Sequence, residues 1–243
     1  MTAVSLHARP SDSFAAKLTR TTAVLTSAAA EHSSRIVQAT SLGAEDMVIT
    51  DLIGRGHLPI AIGTLDTGVL HGETLALLAR IEAHYGLHIE AMQPARDAVL
   101  HFVAKHGERA MYQSIELRKA CCAVRKLEPL GRLLEGKTAW ITGLRREQSE
   151  HRAAVPVSEH EANGRLKLNP LADWTWGDVW HYIAINDVPY NPLHDQFFPS
   201  IGCAPCTRAI SLGEEARAGR WWWEDEAAKE CGLHVKKTEG IAA

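Results

Sequence analysis

Residues 35–53 read RIVQATSLGAEDMVITDLI, and the chain changes character twice within them. Arg35–Thr40 is a short apolar run ending in a polar turn, the pattern of a buried strand. Ser41-Leu42-Gly43 is that turn. Ala44–Leu52 reads as a helix, with Glu45 and Asp46 in its first turn, where acids suit the positive end of the helix dipole. A strand feeding a helix through a small-residue turn is the opening half of a βαβ unit.

The alternation continues outward in both directions. Upstream, the alanine-rich residues 13–33 read as a helix. Downstream, Pro59–Leu65 (PIAIGTL) reads as a second strand that runs into Asp66-Thr67-Gly68 and then a helix over Val69–Tyr85. Leu87–Met92 is a third short strand, and Pro94 opens another helix. Lys137–Thr142 (KTAWIT) is a fourth strand, followed by Gly143-Leu144-Arg145-Arg146. The spacing predicts an α/β fold: a parallel twisted sheet with helices on both faces. Ligands in such sheets bind at the carboxyl ends of the strands, where the loops SLGAED, LDTG and GLRREQS lie. Asn163-Gly164 before Arg165–Leu168 suggests a hairpin. Thr175 with Asp178 forms a capping-box pattern that opens a helix through WGDVWHYI. Residues 187–208, rich in Pro and aromatics, read as an ordered loop, and the charged last twenty as a mobile tail. The expected division is a domain over 1–208 and a tail over 209–243.

At 243 residues, 46% hydrophobic and 23% charged, the chain is long enough for one sizeable core. A net charge of −3 argues against a general affinity for nucleic acid. The opening MTAVSLHARPSDSF has no continuous apolar run, so no secretory signal is expected. No stretch approaches the roughly 18–20 apolar residues of a membrane span. A cytoplasmic protein is expected. Thiols stay reduced in that compartment, so paired cysteines point to metal or redox roles.

Five cysteines divide as four plus one. Cys121 and Cys122 are adjacent, and Cys203 and Cys206 form a C-x-x-C about eighty residues later. Alone, a C-x-x-C suits a zinc knuckle or a thioredoxin-like pair. Adjacent ligands strain a single tetrahedral zinc, whose ligands usually stand two to four residues apart. A cube of iron and sulfide offers four separate irons, so the vicinal pair favours a 4Fe–4S cluster over zinc. Cys231 stands alone in ECGLH, with Lys236 and Lys237 nearby to favour its thiolate.

Basic residues recur near these thiols: Arg125 and Lys126, then Arg145, Arg146 and Arg152, then Arg208, Arg217 and Arg220. Each alone reads as a solvated charge, but together they suit a small polyanion. Ser41, Gly43 and the following helix N-terminus suit a phosphate. Asp66 suits either a nucleotide ribose or the cap of the helix after it. Trp221–Trp223 reads as packing against the domain. No arrangement such as HExxH singles out a histidine metal site.

CCAVRKLEPL (121–130), GLRREQS (143–149), PYNPLHDQFFPSIGCAPCT (189–207) and ECGLH (230–234) together resemble the assimilatory adenylyl-sulfate and phosphoadenylyl-sulfate reductases, over about residues 35–236. The resemblance implies the adenine-nucleotide alpha-hydrolase type of fold, with a nucleotide-binding domain over 1–208 and the reactive cysteine in the tail. One branch carries both cysteine pairs, binds a 4Fe–4S cluster and generally uses adenosine 5′-phosphosulfate. The other lacks them and uses the 3′-phosphorylated nucleotide. With both pairs, this sequence resembles the first branch.

Carried over by motif, Cys121, Cys122, Cys203 and Cys206 would ligate one cluster per chain, and Cys231 would be the nucleophile. Lys126, Arg152, Arg217 and Arg220 would face the phosphosulfate. Ser41, Gly43, Asp46, Leu65, Asp66, Thr67, Gly68 and Gly143 would hold the nucleotide, with Arg145 and His234 also in contact with substrate. The implied reaction passes through S-sulfocysteine and draws electrons from thioredoxin or glutaredoxin, in sulfate assimilation toward cysteine. A homo-oligomer is expected. The sequence departs from the family in two places. SLGAED replaces the SGGxDS of related ATP-using enzymes, and Phe197-Phe198 stands where the family often has Gly-Tyr. Competing readings are a phosphoadenylyl-sulfate reductase, an ATP-dependent nucleotide-modifying enzyme such as a tRNA thiolase, and a zinc-binding module without catalysis.

Overall fold

A computed structural model describes residues 1–225 of the chain. Residues 226–243, with Cys231, His234 and most of the expected tail, lie outside the described residues. The chain enters through a short helix α1 (Ala3–His7) and a long one, α2 (Phe14–His32). Then β1 (Ile36–Thr40), α3 (Ala44–Arg55), β2 (Ala61–Leu65), α4 (Gly72–Tyr85) and β3 (Ile89–Met92) alternate. Helices α5 (Arg96–His106), α6 (Ile115–Cys122) and α7 (Glu128–Leu133) lead to β4 (Ala139–Ile141). The strands β5 (Ser158–His160) and β6 (Leu166–Leu168) and the helix α8 (Trp176–Asn186) follow. Among the described residues, no helix is long and apolar enough to cross a membrane.

Six strands form one sheet in the order β3-β2-β1-β4-β6-β5. All neighbours pair in parallel except β5, which runs antiparallel to β6 as the far arm of the expected hairpin. Val37 of β1 lies opposite Ala61 on one side and Trp140 on the other. Because side chains alternate along a strand, Ile36 enters a core built with α2, α3, α4 and α8, while Val37 and Trp140 meet Leu130 and Leu133 of α7 on the opposite face. Each fully buried Leu or Ile there contributes roughly 1.5–3 kcal/mol.

Gln38 is fully buried in β1, and its polar ends are satisfied. Its amide donates to the Asp46 carbonyl (2.8 Å) and its carbonyl accepts from the Thr50 hydroxyl (3.1 Å), which locks α3 onto the strand. The Thr175–Asp178 capping box forms at the start of α8. The Asp178 carboxylate also takes the Lys17 ammonium (2.7 Å) and Ser11, binding the N-terminal segment to α8. Burial opposes that charge, but the Lys17 and backbone hydrogen bonds prevail and hold Asp178 down at about 2.

The helix expected from Val69 begins three residues later, at Gly72. The Val69 carbonyl accepts the Ala204 N–H (2.8 Å) and Leu70 pairs with Cys203, so a distant loop claims the backbone that would have made the first turn. The strand order reverses at β1: the chain builds β2 and β3 to one side, then returns to β4 on the other. A crevice therefore opens at the carboxyl ends of β1 and β4.

Candidate active site

The SLGAED loop after β1 is held by its own side chains. Ser41 donates from its N–H (2.6 Å) and its hydroxyl (2.7 Å) to the Asp46 carboxylate. Leu42 is buried with φ of 60°, a left-handed conformation that costs a branched side chain free energy. Its N–H donates to the Thr40 hydroxyl (3.0 Å). Gly143, after β4, is required by close approach: a Cβ there would overlap the Asp46 carboxylate and lie 3.1 Å from the Asp46 nitrogen.

These loops border a cleft of about 410 Å³, a volume ordinary for a small-molecule site. Ser41, Gly43 and Asp46 line it from the end of β1, Leu65 and Thr67 from β2, and Gly143 and Arg145 from β4. Arg152, Lys126, Arg217 and Arg220 converge on it from segments far apart in sequence. Asp66 and Gly68 are not part of this lining. The Asp66 carboxylate accepts from the Gly68 N–H (3.0 Å) and the Gln93 amide (2.8 Å). It does not cap α4, which opens at His71.

Arg145 brackets two elements. Its guanidinium donates to Glu45 (2.9 Å) and Glu147 (3.0 Å) and lies 5.2 Å above the Trp176 ring. Burial pushes Glu45 up, but Arg145 and the Gln148 amide outweigh it, so this carboxyl sits below its usual range. Asp46 goes the other way. Burial, with repulsion from Glu45, exceeds the help from Ser41 and raises Asp46 to about 6. Two adjacent acids thus differ in proton affinity, and Glu45 ionises at lower pH than Asp46.

Cys121, Cys122, Cys203 and Cys206 line a second, smaller cavity beside the cleft, and none of the four forms a disulfide. Cys121 and Cys122 end α6, where the chain widens into a π-turn over Ala123–Leu127. Such turns commonly mark functional sites, and this one carries Arg125 and Lys126. The Arg125 guanidinium donates to the Thr67 carbonyl (2.7 Å), and the Thr67 hydroxyl lies 3.3 Å from the Cys203 sulfur. Burial raises the Cys121 thiol, and burial with Cys203 pushes Cys206 up to about 12. As free thiols these two would be poor nucleophiles. Val69, Met111 and Pro205 supply apolar walls, and Arg118, Arg125 and Lys126 supply positive charge.

This donor set fits an anionic iron–sulfur cluster. Among the described residues no three His, Cys, Asp or Glu side chains are gathered closely enough to hold a metal ion as they stand. The thiols instead surround a cavity from two segments. Lys126 lines both the cleft and this cavity.

The segment after the C-x-x-C doubles back to complete both sites. Thr207 pairs with Arg220, and the Trp221 N–H donates to the Cys206 carbonyl (3.2 Å). Gly202 leaves room for Arg220, whose guanidinium a Cβ would strike. The Trp221 ring is buried between Arg118 (4.5 Å) and Arg220 (4.7 Å). Arg118 forms a two-pronged ion pair with Glu224 (2.9 and 2.7 Å), and both side chains are buried. Trp223 packs edge-on against Tyr112, as expected of a packing role.

The cleft also contains residues that sequence reading passed over: Gln148, Trp176 and His194. A lone histidine or tryptophan in a helix or loop carries no motif. Only the tertiary fold places them here.

The phosphoadenosine phosphosulfate reductase domain matches residues 35–209. The chain is 58% identical over 203 residues to the adenosine 5′-phosphosulfate reductase of Allochromatium vinosum, covering 83% of this chain and 79% of that one. It is 52% identical over 230 residues to the adenosine 5′-phosphosulfate reductase of Burkholderia cepacia, covering 94% and 92%. Among solved structures, the phosphoadenylyl-sulfate reductase of Candida auris, in a phosphate complex, superposes with a TM-score of 0.64 at 30% identity, covering 76% of this chain and 88% of that one.

Proposed function

Because the chain belongs to the phosphoadenosine phosphosulfate reductase domain family, we propose that it reduces adenosine 5′-phosphosulfate to sulfite and AMP, with Cys231 as nucleophile and an external dithiol as reductant. The carrying observation is Lys126, which lines both the cleft at the strand ends and the four-cysteine cavity. A cation there serves a polyanionic substrate on one side and an anionic cluster on the other.

In this reading adenosine 5′-phosphosulfate occupies the cleft, with its phosphosulfate toward Lys126, Arg217 and Arg220. The Cys231 thiolate attacks the sulfonyl sulfur. A sulfur–sulfur bond forms, the sulfur–oxygen bond to phosphate breaks, and AMP leaves with that electron pair. Cations beside the bridging oxygen lower the cost of the charge it gains. A thiolate of thioredoxin or glutaredoxin then attacks the Cys231 sulfur and expels sulfite with its electron pair. The donor's second thiol resolves the mixed disulfide, returns the Cys231 thiol and leaves the donor oxidised. The reaction needs two electrons, and the dithiol supplies both. It suits a reducing cytoplasm and a place in sulfate assimilation.

Cys121, Cys122, Cys203 and Cys206 would hold a 4Fe–4S cluster. When bound, that group supplies net negative charge next to Lys126 and a covalent link between α6 and the C-x-x-C loop. The four thiols are then deprotonated ligands, and Cys231 is left as the reactive thiol.

The likeness to a solved phosphoadenylyl-sulfate reductase keeps the 3′-phosphorylated nucleotide as the second reading. Steady-state turnover of the purified brown protein with each nucleotide, with thioredoxin as donor, separates the two. Faster turnover of adenosine 5′-phosphosulfate is expected, and the reverse preference overturns the substrate assignment. Cys231→Ser should still bind AMP but show no added SO₃ mass after exposure to substrate. A sulfonated adduct in that variant would remove Cys231 from the mechanism. A colourless zinc protein would overturn the cluster.

A further inference from the structure

His194 lies in the cleft wall, in the short helical turn Pro192–Gln196. Only 7% of the residue is exposed, and neither ring nitrogen completes a well-aligned hydrogen bond, although the Phe198 backbone approaches the ring. Its neighbours fix its position. Its backbone N–H donates to the Asn191 carbonyl (3.0 Å), and the Asn191 amide in turn reaches the Thr74 hydroxyl (2.9 Å). Its ring stands edge-on to Trp180 (5.2 Å) and Trp176 (6.3 Å). A buried imidazole without partners is normally selected against, because both nitrogens lose their water without replacement. Burial holds the ring neutral, down at about 4, despite the opposing pull of the Glu45 charge, the Phe198 backbone and Asp195. A neutral imidazole offers one donor and one acceptor.

The surrounding wall indicates what would use them. Glu45 and Glu147 are bound by Arg145, and Arg152 reaches the same wall through the Gln148 carbonyl (2.7 Å). Arg145 compensates both glutamates, and Arg152 is held by a neutral amide. Lys126, Arg217 and Arg220 line the cleft from other segments, against Gly202 and Trp221. The cleft therefore has a strongly cationic part at Lys126, Arg217 and Arg220, and a His194 wall richer in paired charges and hydrogen-bonding groups.

We propose that His194 is a further substrate-contacting residue, whose neutral imidazole hydrogen-bonds the uncharged nucleoside half of the nucleotide. This rests on the nucleotide reading of the cleft. It assigns the residue to affinity and orientation, while the sulfonyl chemistry stays with the cationic part.

The test titrates AMP and, separately, inorganic phosphate against the cluster-loaded wild-type protein, His194→Phe and His194→Gln by calorimetry. Phenylalanine keeps an aromatic ring between Trp176 and Trp180 but removes both polar atoms. His194→Phe should bind AMP about tenfold more weakly, the scale of one lost hydrogen bond. It should bind inorganic phosphate as the wild type does and melt no lower without ligand. His194→Gln should recover most of the AMP affinity. AMP affinity within twofold of wild type in His194→Phe overturns the proposal, as does an equal loss for AMP and phosphate. Should His194→Phe not fold, the ¹⁵N ring resonances of His194 in the wild type decide. They should shift on adding AMP, and no shift overturns the proposal. A wild-type protein that fails to bind AMP overturns the nucleotide reading as well, whereas binding indifferent to residue 194 overturns this inference alone.

Discussion

Asp46 binds its proton more tightly in the folded chain, with its carboxyl raised to about 6, than in the unfolded one. A carboxyl raised on folding favours the fold at low pH, and that contribution declines as pH climbs through the window between the two values. Replacement by asparagine removes the titration and leaves a constant offset from the altered Ser41 bonds. In urea melts between about pH 4 and pH 6.5, the stability of Asp46→Asn relative to wild type should rise with pH, and a flat difference contradicts the assignment. Glu45, held below its usual range by Arg145, contributes with the opposite sign, so only the difference between variant and wild type isolates Asp46. Phe197 is a second residue under local strain. It sits at φ of 63°, in the left-handed region that favours glycine, the residue that the family resemblance leads one to expect there. The departure seen in sequence therefore marks a real conformational demand, met here by a half-exposed aromatic ring.

Gly143 illustrates how elements depend on contact distance. A Cβ at this position would force the β4 loop away from the first turn of α3, and the cleft lies between them. Gly143→Ala should cost about 1–3 kcal/mol in urea melts, as overpacking does, and weaken AMP binding. Gly131, in α7, faces open space, so Gly131→Ala should leave AMP binding intact and stabilise by about 0.5–1 kcal/mol. If both variants behave alike, the close approach at Gly143 is not what shapes the site. The strands of the sheet were legible because β1, β2 and β4 are apolar runs closed by small polar turns, and a parallel sheet puts its ligand loops at those ends. The helix α6 was not legible. Its sequence, IELRKACC, buries Arg118 and then passes into a π-turn, so neither apolar periodicity nor a constant 3.6-residue register survives. The start of α4 was misplaced because Val69 and Leu70 bond to a loop more than a hundred residues away. The cationic part of the cleft was legible from clustered arginines and lysines. The His194 wall was not, since His194 and Trp176 gain meaning only from what packs around them.

At the scale of the whole molecule, the cleft and the thiol cavity are joined by a chain of contacts. Lys126 borders both, and Trp221 lies between Arg118 on the cavity side and Arg220 on the cleft side. The Arg118–Glu224 pair anchors this arrangement, with both side chains at most 3% exposed. Removing one partner leaves a buried charge without its counter-ion. Arg118→Met should lose about 3–5 kcal/mol in urea melts, while Arg118→Met combined with Glu224→Leu should recover most of it. A single variant as stable as wild type would show that the pair is not a buried anchor. That anchor also sets a tether. Cys231 follows Glu224 by seven residues, and whatever path they take, seven residues can reach at most about 25 Å. For the proposed reaction, a thiol within that reach of Glu224 would stand at an effective concentration of roughly millimolar. By fixing Glu224 to the helix that ends in Cys121 and Cys122, the ion pair would make the proposed sulfonyl transfer a local event rather than a diffusive one.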